Sequence, residues 1–486
     1  MAASCSTPCG NCWIEAGGYH GRMTSSSSAS WGALLRGRNG LRSLALAGGV
    51  AVHAINMFIA TTILPSVVRD IGGLPWYAWN TTLFVAASIM GSSCAPLGIR
   101  WHGLRRTFLL ALLVFMGGTV VCGLAPSMPW LLCGRVGQGL GGGMLLSLSY
   151  ATVPLVFDQT LWARAMALIS GMWGVATLSG PAIGGLFAES GHWRWAFWAV
   201  LPVCVLLGAL LVTQLGPTGR DRRGRLEAPL LRMGLLVASV LVVSAASLSA
   251  SWTVQLAGVT GGLLLILWLA RMDGRARQRF LPAGAWSLGH PLGRRYARIG
   301  LLSIGVTTEV FVPYFLQVLH GQSPLHAGYL SALMSAGWSL GTLASSGRGS
   351  ASVGRMLALG PILSAASLAG LYVFMPDPGS PAALLAALLL GVGIGVGLCW
   401  PHLLTGVFRA APPDQQNIAS AAITTLQLYA IALGAGLAGV VANAAGFTDP
   451  GGWQGARQAA WAVYGVFAFA PALAIRLGWR AGRDGA

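Results

Sequence analysis

The chain has 486 residues, of which 55% are hydrophobic and only 9% are charged. A soluble domain carries about 25% charged residues, so this composition indicates a polytopic membrane protein. The formal net charge is +18, and all 30 basic residues are arginines. These arginines lie in short loops between apolar runs, where the positive-inside rule operates. They do not form the contiguous basic surface that nucleic-acid binding requires.

Residues 1–42 are predicted to be a flexible N-terminal segment that precedes the membrane region. Within it, Cys5, Cys9 and Cys12 form a cluster that could bind a metal ion or an iron–sulfur cluster. No apolar run or supporting domain surrounds these cysteines, and Met23 is followed by a run of serines. We therefore interpret residues 1–22 as an over-extended start of the sequence, and we predict neither a metal nor a cofactor.

Apolar runs of about 20 residues predict membrane-spanning helices. Fourteen such runs cover residues 43–66, 77–99, 107–126, 130–156, 165–188, 195–215, 230–249, 252–270, 299–319, 326–345, 355–375, 381–406, 417–443 and 457–478. Only Ala250 and Ser251 separate the seventh run from the eighth, so thirteen helices is the alternative count. With fourteen helices and both termini in the cytoplasm, 26 arginines lie on the inner side and 3 on the outer side. That asymmetry favours fourteen.

The long basic loops indicate how the helices are grouped. The predicted segments are an N-terminal six-helix bundle at 43–215, basic loops with two inserted helices at 216–298, a C-terminal six-helix bundle at 299–478 and a cytoplasmic tail at 479–486. Gly103, Arg105 and Arg106 follow the second helix of the first bundle, and Gly354 and Arg355 follow the second helix of the last. Such weak internal symmetry is typical of transporters built from repeats.

Several segments carry a family resemblance. The residues that carry it are Leu64-Pro65, Arg135, Gln138, Gly139 and Gly141 in the fourth helix, Gly171, Gly180, Pro181, Gly184 and Gly185 in the fifth, Trp193-Arg194-Trp195, Phe197 and Pro202 in the sixth, and Leu316-Gln317 with Ala327-Gly328. From residue 40 onward the chain resembles the major facilitator superfamily, and within it the fourteen-helix drug:proton antiporters. The resemblance implies a transporter that exports drug-like compounds in exchange for protons. It also implies that Arg135 is tied to proton coupling and that the fifth helix carries the antiporter motif.

Two departures from the family pattern affect this interpretation. The loop after the second helix usually carries Gly-x-x-x-Asp-Arg-x-Gly, but alignment on Gly103 places Pro96 at the first glycine and Arg100 at the aspartate. That aspartate usually helps to hold the two bundles in one state, so the conformational latch is expected to differ. Asn56 occupies the first-helix position that usually carries an aspartate, and an amide cannot carry a proton at physiological pH.

Glu309 is the candidate proton carrier. The other eleven acidic residues fall in loops, tails or the ends of apolar runs, whereas Glu309 lies midway through the ninth run. A low dielectric favours the neutral form of a carboxyl group, and intramembrane acids are usually functional. The alternative is a structural glutamate that is hydrogen-bonded to a neighbouring helix.

Arg135 is the second candidate for proton coupling, because a charged residue inside a span needs a partner or water. Gln138 and Gly139 follow one turn later and share its face. The alternative is an arginine that reaches the outer interface with its long side chain.

Two further polar stripes are candidates for lining a central cavity. His53 and Asn56 share a face of the first helix, and Thr424 and Gln427 share a face of the thirteenth. Gln138 of the fourth helix is a further candidate for lining this cavity. Hydrogen bonding between helices explains such residues equally well.

The sequence therefore predicts an all-α membrane transporter and not an enzyme. It has no lysine for a phosphate-binding loop, so an ion gradient is the expected driving force. The predicted partners are a small-molecule substrate, protons and the lipid bilayer of a bacterial inner membrane; a monomer is compatible with the architecture. A proton-independent facilitator or importer is the alternative, and a non-transporting membrane sensor is a more distant one. The predicted roles are proton coupling by Glu309 and Arg135, and a sliding contact formed by Pro181 with the fifth-helix glycines Gly171, Gly180, Gly184 and Gly185. Gly139 of the fourth helix is predicted to belong to the same conformational and packing motif.

Overall fold

The computed structural model describes residues 31–216, 230–276, 279–347 and 350–481. The predicted cysteine cluster at Cys5, Cys9 and Cys12, most of the first basic loop and the end of the tail lie outside these residues. Within them the chain is helical and has no β-strand.

A long helix lies over each of the fourteen apolar runs. In chain order they are α1 (Gly37–Ile71), α2 (Trp79–His102), α3 (Leu104–Gly123), α4 (Met128–Val156), α5 (Trp162–Glu189), α6 (Arg194–Gln214), α7 (Leu230–Ala246), α8 (Trp252–Gly274), α9 (Pro291–His320), α10 (Pro324–Ser345), α11 (Ser350–Phe374), α12 (Ala382–Ala410), α13 (Gln416–Ala444) and α14 (Gly452–Ala481). A short helix, Trp31–Leu35, precedes α1. α6 is interrupted at Ala199, and α9 contains the 3-10 turn Thr307–Val310.

Twelve of these helices are long and apolar enough to cross a membrane. This confirms the prediction of an all-α, multi-pass membrane protein. The other two are α7, a shorter apolar helix of 17 residues, and α10. The count of fourteen membrane spans and the cytoplasmic placement of both termini therefore stay predictions.

Close helix contacts through glycine hold the N-terminal half, α1 to α6, together. α4 packs tightly against both α2 and α3. A side chain at Gly139 or Gly143 would fall on the backbone oxygens of Phe84 and Ser88 in α2. Only glycine allows two helix backbones to approach so closely, and such contacts replace the hydrophobic driving force that helices lack in lipid.

The C-terminal half, α9 to α14, repeats this arrangement with different residues. α12 packs against α10 and α11. Gly337 and Gly341 of α10 lie against the backbone of α12, and Gly393 and Gly397 of α12 lie against that of α10. The central helix of each half is thus lined by glycine where its neighbours cross it.

The inserted pair, α7 and α8, lies beside one seam between the halves. Met233, Leu236 and Val240 of α7 belong to a buried cluster that also contains Phe84 and Val85 of α2. The hydroxyls of Ser239 in α7 and Tyr429 in α13 are 3.0 Å apart. α7 therefore contacts both halves at once, where α2 and α13 run side by side.

The two halves meet at the end of the molecule that carries the α1–α2 loop. Tyr77, which is 1% exposed, stacks on Phe311 with ring centroids 5.2 Å apart and contacts the rings of Tyr314 and Phe447. Nearby, the Asn443 Nδ2 donates to the carbonyl oxygen of Pro75 at 3.3 Å. Aromatic rings from both halves therefore close this end.

Candidate functional site

Arg135 lies at the centre of a buried polar network in the N-terminal half. It is 1% exposed, although it lies only about two turns from the start of α4. Its Nη1 donates to Gln138 Oε1 at 2.8 Å, and its Nε donates to the carbonyl oxygen of Asn80 at 3.3 Å. The guanidinium is thus held inside the protein and does not reach the membrane interface.

Gln138 connects Arg135 to two other helices. Its Nε2 donates to Asn56 Oδ1 of α1 at 3.1 Å and to Thr119 Oγ1 of α3 at 3.0 Å. Asn56, Gln138 and Thr119 are all essentially inaccessible to solvent. Four helices therefore contribute to one network, whose described members include no carboxylate.

An aromatic ring provides the other surface against which Arg135 lies. The Cζ of Arg135 is 4.1 Å from the ring centroid of Phe84, a distance at which a guanidinium is attracted by the ring face. His53 stacks on the same ring system at 5.0 Å and meets Trp173 of α5 edge-on at 6.1 Å. His53 is 1% exposed and its Nδ1 has no hydrogen-bond partner in the described residues. The predicted pair His53 and Asn56 thus lies beside Arg135 and Gln138.

Glu309 lies in a different environment in the C-terminal half. It belongs to the 3-10 turn that interrupts α9, between buried Thr308 and Val310. As a whole residue it is partly exposed, and its carboxyl group accepts one hydrogen bond, from Ser335 Oγ of α10, at 3.4 Å. Two residues later, Phe311 stacks on Tyr77 of the N-terminal half. Glu309 therefore lies at a helix break close to the contact between the halves.

The other predicted cavity residues are not joined to either site. Thr424 is exposed and Gln427 is partly exposed on α13. Among the described hydrogen bonds, neither residue takes part in the Arg135 network or contacts Glu309. Both sites also lack a cluster of metal-ligating side chains within the residues that the structure describes.

The predicted fifth-helix motif divides into a packed end and an open end. Gly180 lies against Phe58 of α1, and a side chain at Gly185 would fall 2.6 Å from the Cα of Leu325 in α10. By contrast, no neighbouring atom lies within 4 Å of where a side chain at Gly171 or Gly174 would begin. Gly184 and Pro181 lie in the packed part, beside Thr62 and Gly328 respectively.

The predicted inter-bundle loop is a tight junction between α2 and α3. Gly103 adopts a φ of 81°, which favours glycine, and its N–H donates to the carbonyl oxygen of Ile99 at 2.8 Å. Arg105 is partly exposed and Arg106 is exposed just after it.

Sequence reasoning missed one contact that the sixth-helix motif makes. Arg194 Nη1 lies 2.6 Å from Asp70 Oδ2, and Trp193 Nε1 donates to the same oxygen at 3.1 Å. Arg194 Nη2 also donates to the carbonyl oxygen of Ala125 at 3.0 Å. The motif therefore ties the start of α6 to the ends of α1 and α3. The acid and the arginine are 124 residues apart, so only their shared position outside the apolar runs links them in the sequence.

Two glycine-packed halves, joined at one end and carrying buried polar sites within membrane helices, form an arrangement that is typical of membrane transporters. The chain belongs to the Major Facilitator Superfamily, whose family model matches residues 46–435.

Curated relatives agree with this assignment. The chain is 38% identical over 462 residues to a probable multidrug-efflux transporter of Mycobacterium tuberculosis H37Rv, covering 93% of this chain and 97% of the relative. It is 26% identical over 312 residues to the multidrug transporter protein MdtP of Bacillus subtilis, covering 61% and 56% of the two chains.

Solved structures share the fold at low sequence identity. A bacterial homologue of the human lysosomal transporter Spinster, in an inward-facing and unoccupied conformation, matches with a TM-score of 0.61 at 15% identity and covers 91% of this chain and 97% of its own. A peptide transporter POT in complex with sulfate matches with a TM-score of 0.64 at 13% identity, covering 90% and 95%.

Proposed function

We propose that the protein is a proton-coupled secondary transporter that exports small organic or drug-like compounds from bacterial cells. The multidrug-efflux names of its relatives support the substrate class. We also propose that the protein has fourteen membrane helices and that both termini lie in the cytoplasm. The arginine distribution along the sequence supports this orientation. The end closed by Tyr77 then faces outward, and transport requires this state to alternate with one in which that end is open.

The observation that carries proton coupling is the position of Glu309. A group that carries a transported proton must be reachable from water and must lose few interactions when it becomes neutral. It must also lie near the contact between the two halves that changes during transport. Glu309 is partly accessible, accepts one long hydrogen bond and lies two residues from the ring that contacts Tyr77. In the described part of the chain, no arginine or histidine lies within ion-pair distance of Glu309 to stabilise its ionised form. Arg135, in the N-terminal half, contributes to proton coupling through its positive charge.

A proton-independent facilitator or importer is the second candidate. It is favoured by Asn56, which places an amide where a carboxylate would be expected, and by Arg100 in the loop after α2. The described members of the Arg135 network contain no carboxylate, so Glu309 is the only acid of the two sites that could carry the proton.

The test uses everted membrane vesicles with an imposed pH gradient that a fluorescent probe reports. Addition of lipophilic cations and other toxic compounds is expected to collapse the gradient with the native protein. Glu309→Gln is expected to abolish the collapse because an amide cannot exchange a proton, and Glu309→Asp is expected to retain part of it. Asp158→Asn is the matched control, since Asp158 is exposed and lies in a loop.

The outcomes separate the two candidates. Collapse with native protein and with Glu309→Gln would keep antiport but remove Glu309 from it. Movement of labelled substrate across the vesicle membrane without any change in the gradient would establish the facilitator and refute proton coupling.

A further inference from the structure

The start of α9 concentrates positive charge at the end of the molecule opposite Tyr77. Arg294, Arg295 and Arg298 lie within its first two to three turns, and Arg409 lies at the end of α12. Arg295 is close enough to interact electrostatically with Arg294 and Arg409, and also with Arg298. Arg295 is thus repelled by three other guanidinium groups on two packed helices.

Two of these arginines are buried. Arg298 is 5% exposed and Arg294 is 8% exposed. Arg298 Nη2 donates to the carbonyl oxygen of Leu357 in α11, but its Nε is buried without a hydrogen-bond partner in the described residues. A buried charge is costly unless an opposite charge and further hydrogen bonds compensate for it.

The described part of the protein does not supply that opposite charge to Arg295 or Arg298. Its two ion pairs are Arg194 with Asp70 and Arg232 with Asp273, both on other helices. Neither Arg295 nor Arg298 lies within ion-pair distance of a described carboxylate. An external anion is therefore the natural partner for these two side chains.

The surroundings are shaped to hold these side chains in place. A side chain at Gly406 of α12 would fall 2.6 Å from Arg295 Nε, so glycine there lets Arg295 lie across that helix. His402, one turn before Gly406, has a buried Nε2 without a partner in the described residues. The amino-terminal end of α9 adds the positive end of its helix dipole.

We infer that this cluster, formed by Arg295, Arg298, His402 and Arg409, binds a phosphate group at the membrane surface. Guanidinium forks match the oxygens of phosphate, and basic pockets between membrane helices on the cytoplasmic side bind anionic headgroups. An anionic phospholipid carries such a group at this depth. The inference does not depend on proton coupling; the proposed orientation decides only which leaflet supplies the lipid.

The test measures lipid binding to the purified full-length protein by native mass spectrometry. Phosphatidylglycerol is compared with phosphatidylcholine of the same acyl chains. Arg295→Gln and Arg298→Gln are expected to weaken phosphatidylglycerol binding about tenfold, the effect of one lost charge-assisted hydrogen bond. Arg106→Gln removes an exposed arginine of the other half and is expected to leave binding unchanged.

Equal binding of the two lipids, or equal binding by all variants, would overturn the inference. Arg295 is only partly buried, so its variant remains informative if Arg298→Gln fails to fold. A competition with inorganic phosphate identifies the source of the group. Displacement of phosphatidylglycerol by millimolar phosphate would assign the site to a soluble anion and overturn the lipid assignment, whereas resistance to phosphate would support it.

Discussion

The polar residues inside the two halves of the protein lie in opposite environments. In the N-terminal half, Arg135 and Gln138 are fully buried and hydrogen-bonded to residues from three other helices. In the C-terminal half, Glu309 is partly accessible and accepts one long hydrogen bond at a break in its helix. A closed network fixes the packing of its helices, whereas a loosely held acid can change its charge without breaking other contacts. We therefore expect substitutions in the first half to change stability and substitutions around Glu309 to change coupling.

The largest effect on stability is expected for Gln138→Met, a change of similar volume. It leaves Arg135 Nη1 without its acceptor and Asn56 and Thr119 without their donor. A buried polar group that loses its partner costs about 1–3 kcal/mol, and more when it is charged. The melting temperature of the purified protein measures the loss, with Arg106→Gln as the control. An unchanged melting temperature would show that the network does not hold the four helices together.

A smaller loss is expected for Asn56→Leu, which keeps the side-chain shape and removes one acceptor. Gln138 Nε2 retains its bond to Thr119, so the cost is about 0.5–1.5 kcal/mol. The number of protons moved per substrate is expected to stay the same, because Asn56 carries no proton. A change in that number, measured from gradient collapse against labelled substrate, would place Asn56 in the coupling mechanism and break the contrast between the halves.

The smallest effect is expected for Ser335→Ala. The 3.4 Å bond from Ser335 to Glu309 is long, and a weak neutral donor contributes about 0.5 kcal/mol. The transport rate should therefore change by less than about threefold, with the melting temperature unaltered. A loss comparable with that of Glu309→Gln would mean that Ser335 belongs to the proton path itself.

Helix positions were predictable because hydropathy alone sets them. The fourth run, 130–156, coincides with Met128–Val156, and the apolar class of the chain followed from its charge content. The break at Thr307–Val310 was not predicted, although Pro313 is a local signal for it, since a proline removes the helical hydrogen bond to the carbonyl oxygen four residues earlier, here that of Glu309. The seventh run, 230–249, is longer than the helix that forms there, because α7 ends at Ala246 after 17 residues.

Part of the site was predictable and part required the fold. Arg135 and Glu309 could be singled out because charges inside apolar runs are rare. Their partners Asn80, Thr119 and Ser335 are ordinary polar residues, and only the packing of separate helices shows which of them face a charge. The cluster at Arg295 was hidden for another reason: in the sequence its arginines look like the usual positive charge of a cytoplasmic loop.

The position of α7 makes the two seams between the halves unequal. One seam, between α2 and α13, is filled by the inserted pair and bound through Ser239 and Tyr429. The other, between α5 and α10, is packed at Gly185 but open beside Gly171. Lipid therefore contacts two different faces of the protein: the inserted pair covers the contact between the halves on one side, and α5 and α10 themselves form it on the other.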